Sequence, residues 1–403
     1  MPVLTFPIDE PVSAAIAAEL VKESVYIAPG IRDFALRDDN RLAEVTIDDG
    51  ASPATIEDKV RRYLGVMLAR FRTIEPSVYA EYRRPGEDGY HADVFGELQR
   101  REWLFPVGAG AVSLAGPALA LHRALDRLFA RAYAAEFGTA ARSFPASMPA
   151  ELLHGCGYFD SHPNMSTFAT HLVEDLDVIE AFREANEETE SYVAPPAASF
   201  APPEVCLVPA ACFPCYPTYA GRTLEGDGVA LSWQGRIFRQ ESRNATGLSR
   251  LREFNVRELV FVGSEDFVQT ARRRALELVD ALFRRCELSF AIATASDPFF
   301  ATVAAAKTFW QQSQEVKHEI LVPYAAGAAG AEQTVAVGSV NYHENFFGRR
   351  FAIVARDGEL AHTACVGIGI ERLMLAVFAQ HGFAPASWPR VLAAALAAES
   401  EEV

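Results

Sequence analysis

Several features are scarce in this 403-residue chain, and each scarcity narrows what it can be. No run of about 18 or more uncharged apolar residues occurs, which argues against a membrane span. Positive charge is in short supply: 37 Lys and Arg stand against 53 Asp and Glu, a formal net charge of −16. Broad nucleic-acid binding needs clustered cations to displace counterions, so that class is disfavoured. The six cysteines, at 156, 206, 212, 215, 286 and 365, are too thinly spread for a disulfide framework. In a reducing compartment they read as metal ligands or packing residues. No repeat and no low-complexity tract is present. The first fifteen residues carry Pro2, Pro7, Asp9 and Glu10 without a basic flank, a poor signal peptide. The expected location is the cytoplasm.

What is present is an ordinary soluble composition, 50% hydrophobic and 22% charged, enough for one large domain or a core with a smaller companion. A turn-rich stretch, Pro106-Val107-Gly108-Ala109-Gly110, suggests a junction between an N-terminal extension over 1–105 and a main domain over 106–403. Within the extension, apolar residues at Ile56, Val60, Tyr63, Leu64, Met67 and Leu68 predict a helix over 54–72. The main domain reads as a helix over 116–137 stopped by Gly138, then an extended segment over 142–148. An acidic, solvated helix face follows over 175–191, and a Pro/Ala-rich loop over 194–203. A buried strand over 204–211 precedes two long strands over 229–241 and 251–263. The loop 242–249 between them holds Asn244 and Gly247. Helices over 265–286 and from Ile370 to Gly382 bracket strands near 316–322, 333–341 and 361–369. Strands in hairpins, with helices after rather than between most of them, predict an α+β fold: an antiparallel sheet flanked by helices, with a small N-terminal α/β extension.

Two segments carry chemistry. Strand alternation places Arg239 and Glu241 on one face, and Arg252, Phe254, Val256 and Glu258 on one face of the returning strand. Such a surface offers what ATP requires: a guanidinium for phosphate, a carboxylate that accepts from an amine, and a flat ring for adenine. An exposed hairpin laced with ion pairs fits the same pattern. The second segment is Cys365-Val366-Gly367-Ile368-Gly369-Ile370-Glu371-Arg372, where two glycines at a strand-to-helix turn let a ligand approach the backbone and Arg372 lies in the first helical turn. Close helix–strand packing explains those glycines equally well.

Taken together the segments resemble class II aminoacyl-tRNA synthetases: 236–263 looks like motif 2, 365–373 like motif 3, and 142–148 with Pro145 like motif 1, which in that class forms the dimer interface. The chain is most similar in its motifs to the amino acid:[carrier protein] ligases, seryl-tRNA-synthetase-like enzymes without a tRNA-binding domain. The match runs through Pro209-Ala210-Ala211-Cys212, the hairpin, Ala295-Ser296-Asp297-Pro298-Phe299-Phe300, Ser339-Val340-Asn341-Tyr342-His343, Phe347-Gly348 and His362-Thr363-Ala364-Cys365-Val366-Gly367. It covers about residues 106–395.

The resemblance implies ATP-dependent activation of a small amino acid (glycine, alanine or serine) as an adenylate and its transfer to the phosphopantetheine thiol of a carrier protein, by a homodimer. It implies Zn²⁺ on Cys212, Glu258 and Cys365, with an open position for the substrate amine. Carried over by position, Arg239 holds the α-phosphate and substrate carboxylate and Arg372 the γ-phosphate. Phe254 stacks on adenine, and Glu241 bonds near the adenine or amine. Arg250, Arg252 and Gly369 complete the ATP site, and Ser339 and Asn341 line the amino-acid pocket. Mg²⁺ is expected on the phosphates, with Glu319 a candidate ligand and an exposed strand carboxylate the plain alternative. His343 reads as a structural histidine. Cys212-Phe213-Pro214-Cys215 also has the form of a redox pair, but no helix start follows it. The leading 105 residues match nothing in the ligases and are too short on helical periodicity for a coiled-coil arm. tRNA, a small amine as acceptor, and a catalytically silent binding subunit stand as the alternatives. Arg272-Arg273-Arg274 and Arg284-Arg285 offer a basic surface for an acidic carrier protein, with solvated helix faces the plain alternative.

Overall fold

A computed structural model describes all residues except 71–75, 87, 88, 188, 242–244, 246, 296–314, 327–331 and 401–403. Half of the 242–249 loop (242–244 and 246) and residues 296–300 of the Ala295-to-Phe300 match lie outside the described residues. Two hydrophobic cores organise the rest. The smaller belongs to a three-stranded antiparallel sheet in the order Val3–Pro7, Leu42–Ile47, Ile31–Arg37. Alternation in the middle strand buries Ala43, Val45 and Ile47. The helix Pro53–Arg70 covers that face with Ile56, Val60, Leu64 and Met67, at the spacing the sequence predicts.

The larger core lies on an eight-stranded sheet. Its order is Val78–Tyr82, Phe290–Thr294, Lys317–Ala326, Glu332–Tyr342, His362–Gly369, Glu253–Gly263, Gly228–Phe238, Ala140–Ala141. Neighbours are antiparallel except the last pair, which is parallel. One face is covered by the helices Gly116–Phe137, Glu265–Arg285, Ile370–His381 and Arg390–Ser400, whose buried residues merge with those of the strands. The other face carries the cavity described below.

The two cores divide between Leu68 and Val78, earlier than the junction expected at 105. Val78–Tyr82 is an edge strand of the large sheet, paired with Phe290–Thr294, and the helix Val94–Arg100 buries Val94 and Leu98 in the large core. A five-residue strand whose partner lies some 210 positions downstream leaves no local periodicity to read. The strand expected over 204–211 is regular only at Val205–Leu207. Beyond it Pro209 offers no N–H to a ladder, and the chain turns toward the hairpin. The acidic helix is present as Leu176–Glu187, with no buried residue. Among the described residues no helix is long and apolar enough to cross a membrane.

Candidate active site

Register builds the site. Glu258 stands opposite Gly367, Gly367 opposite Ser339, and Cys365 opposite Asn341, across three adjacent strands. Period-two alternation puts Phe254, Val256 and Glu258 on the cavity face of one strand, and Cys365, Gly367 and Gly369 on that of the next. A Cβ on Gly367 would lie 3.0 Å from Glu258 Oε2, so the glycine makes room for that carboxylate. Cys212 arrives from outside the sheet, on the turn after Pro209. The strand end holds that turn: the Phe238 N–H donates to the Val208 carbonyl at 2.8 Å, and Arg239 Nε to the Pro209 carbonyl at 3.1 Å.

The result is a buried trio. One donor atom each from Cys212, Glu258 and Cys365 lie within 4.8 Å of one another. Burial, and then the neighbouring Cys365, push the Glu258 carboxyl far above its usual range, against the opposing pull of Arg239. Cys365 is raised strongly by its hydrogen bond with Cys212 and by burial. Cys212 is pulled down by its hydrogen bond with Cys365 but left raised by burial. Three acids forced to keep their protons are what a dication would replace, and two thiolates with one carboxylate are a zinc donor set with room for a fourth ligand. Asn341 Nδ2 donates to Cys365 Sγ at 3.5 Å, and His343 Nε2 lies 3.7 Å from the same sulfur. Such outer contacts orient a metal-binding thiolate. His343 is held in turn by Thr363 Oγ1 at 3.1 Å, and it also faces the cavity. Cys215 is buried outside the trio, its thiol raised by burial, which is the reverse of an activated redox cysteine.

The trio opens into a cavity of about 990 Å³ that also takes in Arg239, Glu241, Arg250, Phe254, Glu319, Ser339, Gly369 and Arg372. Two guanidinium groups lie over the Phe254 ring, Arg239 at 5.7 Å and Arg372 at 5.6 Å from its centre. Arg372 donates to the Ala336 carbonyl at 2.9 Å. Desolvation and the nearby Arg239 lower its titration to about 10, so a cation is held here at a cost that an anionic ligand would relieve. Glu241 is buried and paired with Arg250 at 3.2 Å. Arg252 is apart from these: it does not line the cavity, and its backbone N–H donates to the Gly110 carbonyl while its carbonyl accepts from the Arg239 N–H. Sequence reasoning missed Lys317, a buried cavity residue paired with Glu319 at 3.0 Å. Alternation about Glu319 was the available signal. It also missed Tyr158, His162 and Arg350, which line the cavity from segments with no recognisable pattern.

Two of the five arginines expected to form a basic surface are engaged in ion pairs. Arg274 pairs with Glu136 and Arg284 with Asp280, while Arg272 donates to the Glu315 carbonyl.

Comparison with known proteins agrees with this fold. Residues 202–381 match the tRNA synthetase class II core domain (G, H, P, S and T). A type-2 serine–tRNA ligase of Methanopyrus kandleri is 24% identical over 394 residues, 92% of this chain and 74% of its own, so the likeness reaches into the N-terminal unit. The crystal structure of M. kandleri SerRS with A. aeolicus tRNASec superimposes with a TM-score of 0.72 at 21% identity, covering 98% of this chain and 77% of that one. Amino acid–[acyl-carrier-protein] ligase 1 of Bradyrhizobium diazoefficiens is 36% identical over 259 residues, 63% of this chain and 75% of the relative. With that identity and coverage, on a class II synthetase core, the chain belongs to the amino acid–[acyl-carrier-protein] ligase family.

Proposed function

We propose that the protein activates glycine, alanine or serine with ATP and passes the aminoacyl group to the phosphopantetheine thiol of a carrier protein. The observation that carries this reading is the trio Cys212, Glu258 and Cys365 opening into the same cavity as Arg239, Glu241, Arg250 and Arg372. Zinc bound there would offer its open position to the neutral amine of the substrate, leaving little space for a side chain. The substrate carboxylate is then placed by Arg239, and its oxygen attacks the α-phosphorus while the bond to pyrophosphate breaks. Arg239 and Arg372 stabilise the charge on the phosphates, with Mg²⁺ beside them and Glu319 its candidate ligand. In the second half the carrier thiolate attacks the aminoacyl carbonyl carbon and AMP leaves. Phe254 fits the adenine end through the guanidinium groups that already lie over its ring.

A carrier protein is preferred to tRNA because the amino acid–[acyl-carrier-protein] ligase of B. diazoefficiens is 36% identical, against 24% for the M. kandleri serine–tRNA ligase. The N-terminal unit, residues 1–70, holds 8 Lys and Arg against 12 Asp and Glu, a net charge of 8 − 12 = −4, within a chain at −16. That is a poor counterpart for a phosphate backbone. The likeness of this unit to a serine–tRNA ligase makes tRNA the second reading, to be tested beside the first. We further propose a homodimer and a cytoplasmic location. Exposed Phe168, on a strand of the same small sheet as Ser147–Pro149 at the end of the segment read as motif 1, supports the dimer, and six free, buried cysteines fit a reducing compartment.

The test is amino-acid-dependent ATP–pyrophosphate exchange, with and without a zinc chelator, followed by transfer to pantetheinylated carrier protein or to tRNA. Exchange with one small amino acid, lost on chelation, and transfer to the carrier alone are expected. Exchange that survives complete removal of zinc would overturn the metal role, and transfer to tRNA alone would overturn the acceptor.

A further inference from the structure

The N-terminal unit touches the hairpin beside the cavity, and the contact falls on one backbone group. Helix Ala14–Glu23 runs into the turn Ser24–Tyr26. That turn is tied to its own unit: Ser24 Oγ donates to the Val21 carbonyl at 2.7 Å, and Tyr63 OH to the Leu20 carbonyl at 2.8 Å. From it the Tyr26 hydroxyl donates to the carbonyl of Gln240 at 3.0 Å, across 214 positions of sequence.

Gln240 sits between the two cavity residues Arg239 and Glu241, where the chain has already left the strand that ends at Phe238. Ladder pairing therefore no longer fixes it. Its N–H donates to the Met165 carbonyl at 3.2 Å, and the preceding N–H of Arg239 to the Arg252 carbonyl at 2.8 Å. The Tyr26 contact completes this set from a different unit of the fold. Burial, and then the nearby Glu241 and Glu23 carboxylates, raise the Tyr26 titration, so the hydroxyl stays a donor throughout the neutral range.

We propose that Tyr26 is a positioning residue for the ATP end of the cavity. By holding the Gln240 carbonyl it sets the backbone from which Arg239 and Glu241, the latter with its partner Arg250, project into the site. The N-terminal unit thereby becomes part of the adenylation machinery. This rests on the proposed activation chemistry.

The experiment compares the full-length wild type with Tyr26→Phe, which removes one oxygen and keeps the ring. Calorimetric binding of ATP–Mg²⁺ reads the inference directly, and ATP–pyrophosphate exchange gives KM for ATP and for the amino acid. One hydrogen bond of ordinary net strength corresponds to about a three- to tenfold change. The expected result is ATP binding and KM for ATP weakened by about that factor, with KM for the amino acid and the melting temperature nearly unchanged. Equal ATP affinity in the two proteins would overturn the inference and leave the proposed function standing. A melting temperature lowered together with both KM values would also overturn it, showing a purely structural contact. A wild type that binds no ATP would overturn the function and this inference together.

Discussion

Glu371 accepts two hydrogen bonds from Asn255, one from its backbone N–H at 2.9 Å and one from its side-chain amide at 2.7 Å. His122 Nε2 lies 3.2 Å from the same carboxylate. Asn255 follows Phe254 and Glu371 precedes Arg372, so this buried lock sets Arg372 against the Phe254 ring. Glu371→Ala would leave the half-buried Asn255 N–H without its acceptor, and the Asn255 amide and His122 with only their mutual contact at 3.3 Å. A loss of about 3 kcal/mol is expected, together with weakened exchange activity. Urea unfolding measures the first, and an unchanged midpoint would show that the lock contributes nothing.

Replacing a member of the trio should remove metal and activity together. Cys212→Ser, Cys365→Ser and Glu258→Gln are expected to purify without stoichiometric zinc and without exchange activity, by elemental analysis and pyrophosphate exchange. Asn341→Ala leaves the three donors in place but removes the amide facing Cys365 Sγ, so zinc affinity should fall by about 10- to 100-fold. Full zinc occupancy in Cys365→Ser would refute the assignment.

Arg239 and Arg372 are not exchangeable for lysine. Each guanidinium lies over the Phe254 ring while donating to a carbonyl, of Pro209 and of Ala336 respectively. A point-charge ammonium keeps the sign but loses the planar fork. Arg239→Lys and Arg372→Lys should each lower the exchange rate by about 10²-fold or more with the fold intact, as judged by circular dichroism and rate measurements. Near-normal rates would mean that neither guanidinium meets the phosphates.

His381 supplies an acid-sensitive element of stability. Its Nε2 faces the Cys286 carbonyl at 3.0 Å and its Nδ1 faces Arg84 at 3.5 Å, an arrangement for the neutral ring. Burial lowers its titration from 6.5 to about 4. The folded state therefore resists a proton that the unfolded state accepts, and this contribution, intact above pH 6.5, is lost as pH falls toward about 4. His381→Asn should flatten the decline of unfolding free energy across that window. A decline of equal slope in the variant would place the acid sensitivity elsewhere.

Local pattern was enough for much of the fold. Helices over 116–137, 265–286 and from Ile370 were legible because 3.6-residue periodicity is a local signal with local stops, Gly138 among them. Glu258 and Phe254 were legible as neighbours because alternation in a strand fixes which side chains share a face. Twelve of the thirteen expected site residues line the cavity, and Arg252 is the exception because the strand begins only at Glu253. There alternation does not yet govern, and Gly110 claims the backbone.

What the sequence determined by itself, then, is the set of elements and the chemical types along them: paired arginines, thiols and carboxylates on strands whose faces can be counted. The tertiary structure decided which of them meet. Cys212 joins Cys365 and Glu258 only because the turn after Pro209 is held against the strand end by Phe238 and Arg239. Val78–Tyr82 belongs to the large sheet only because its partner, Phe290–Thr294, is there to pair with it. Tyr26 reaches Gln240 across 214 positions that carry no trace of the contact. In each case the deciding force is a hydrogen bond or burial between segments far apart in the chain, which short-range periodicity does not encode.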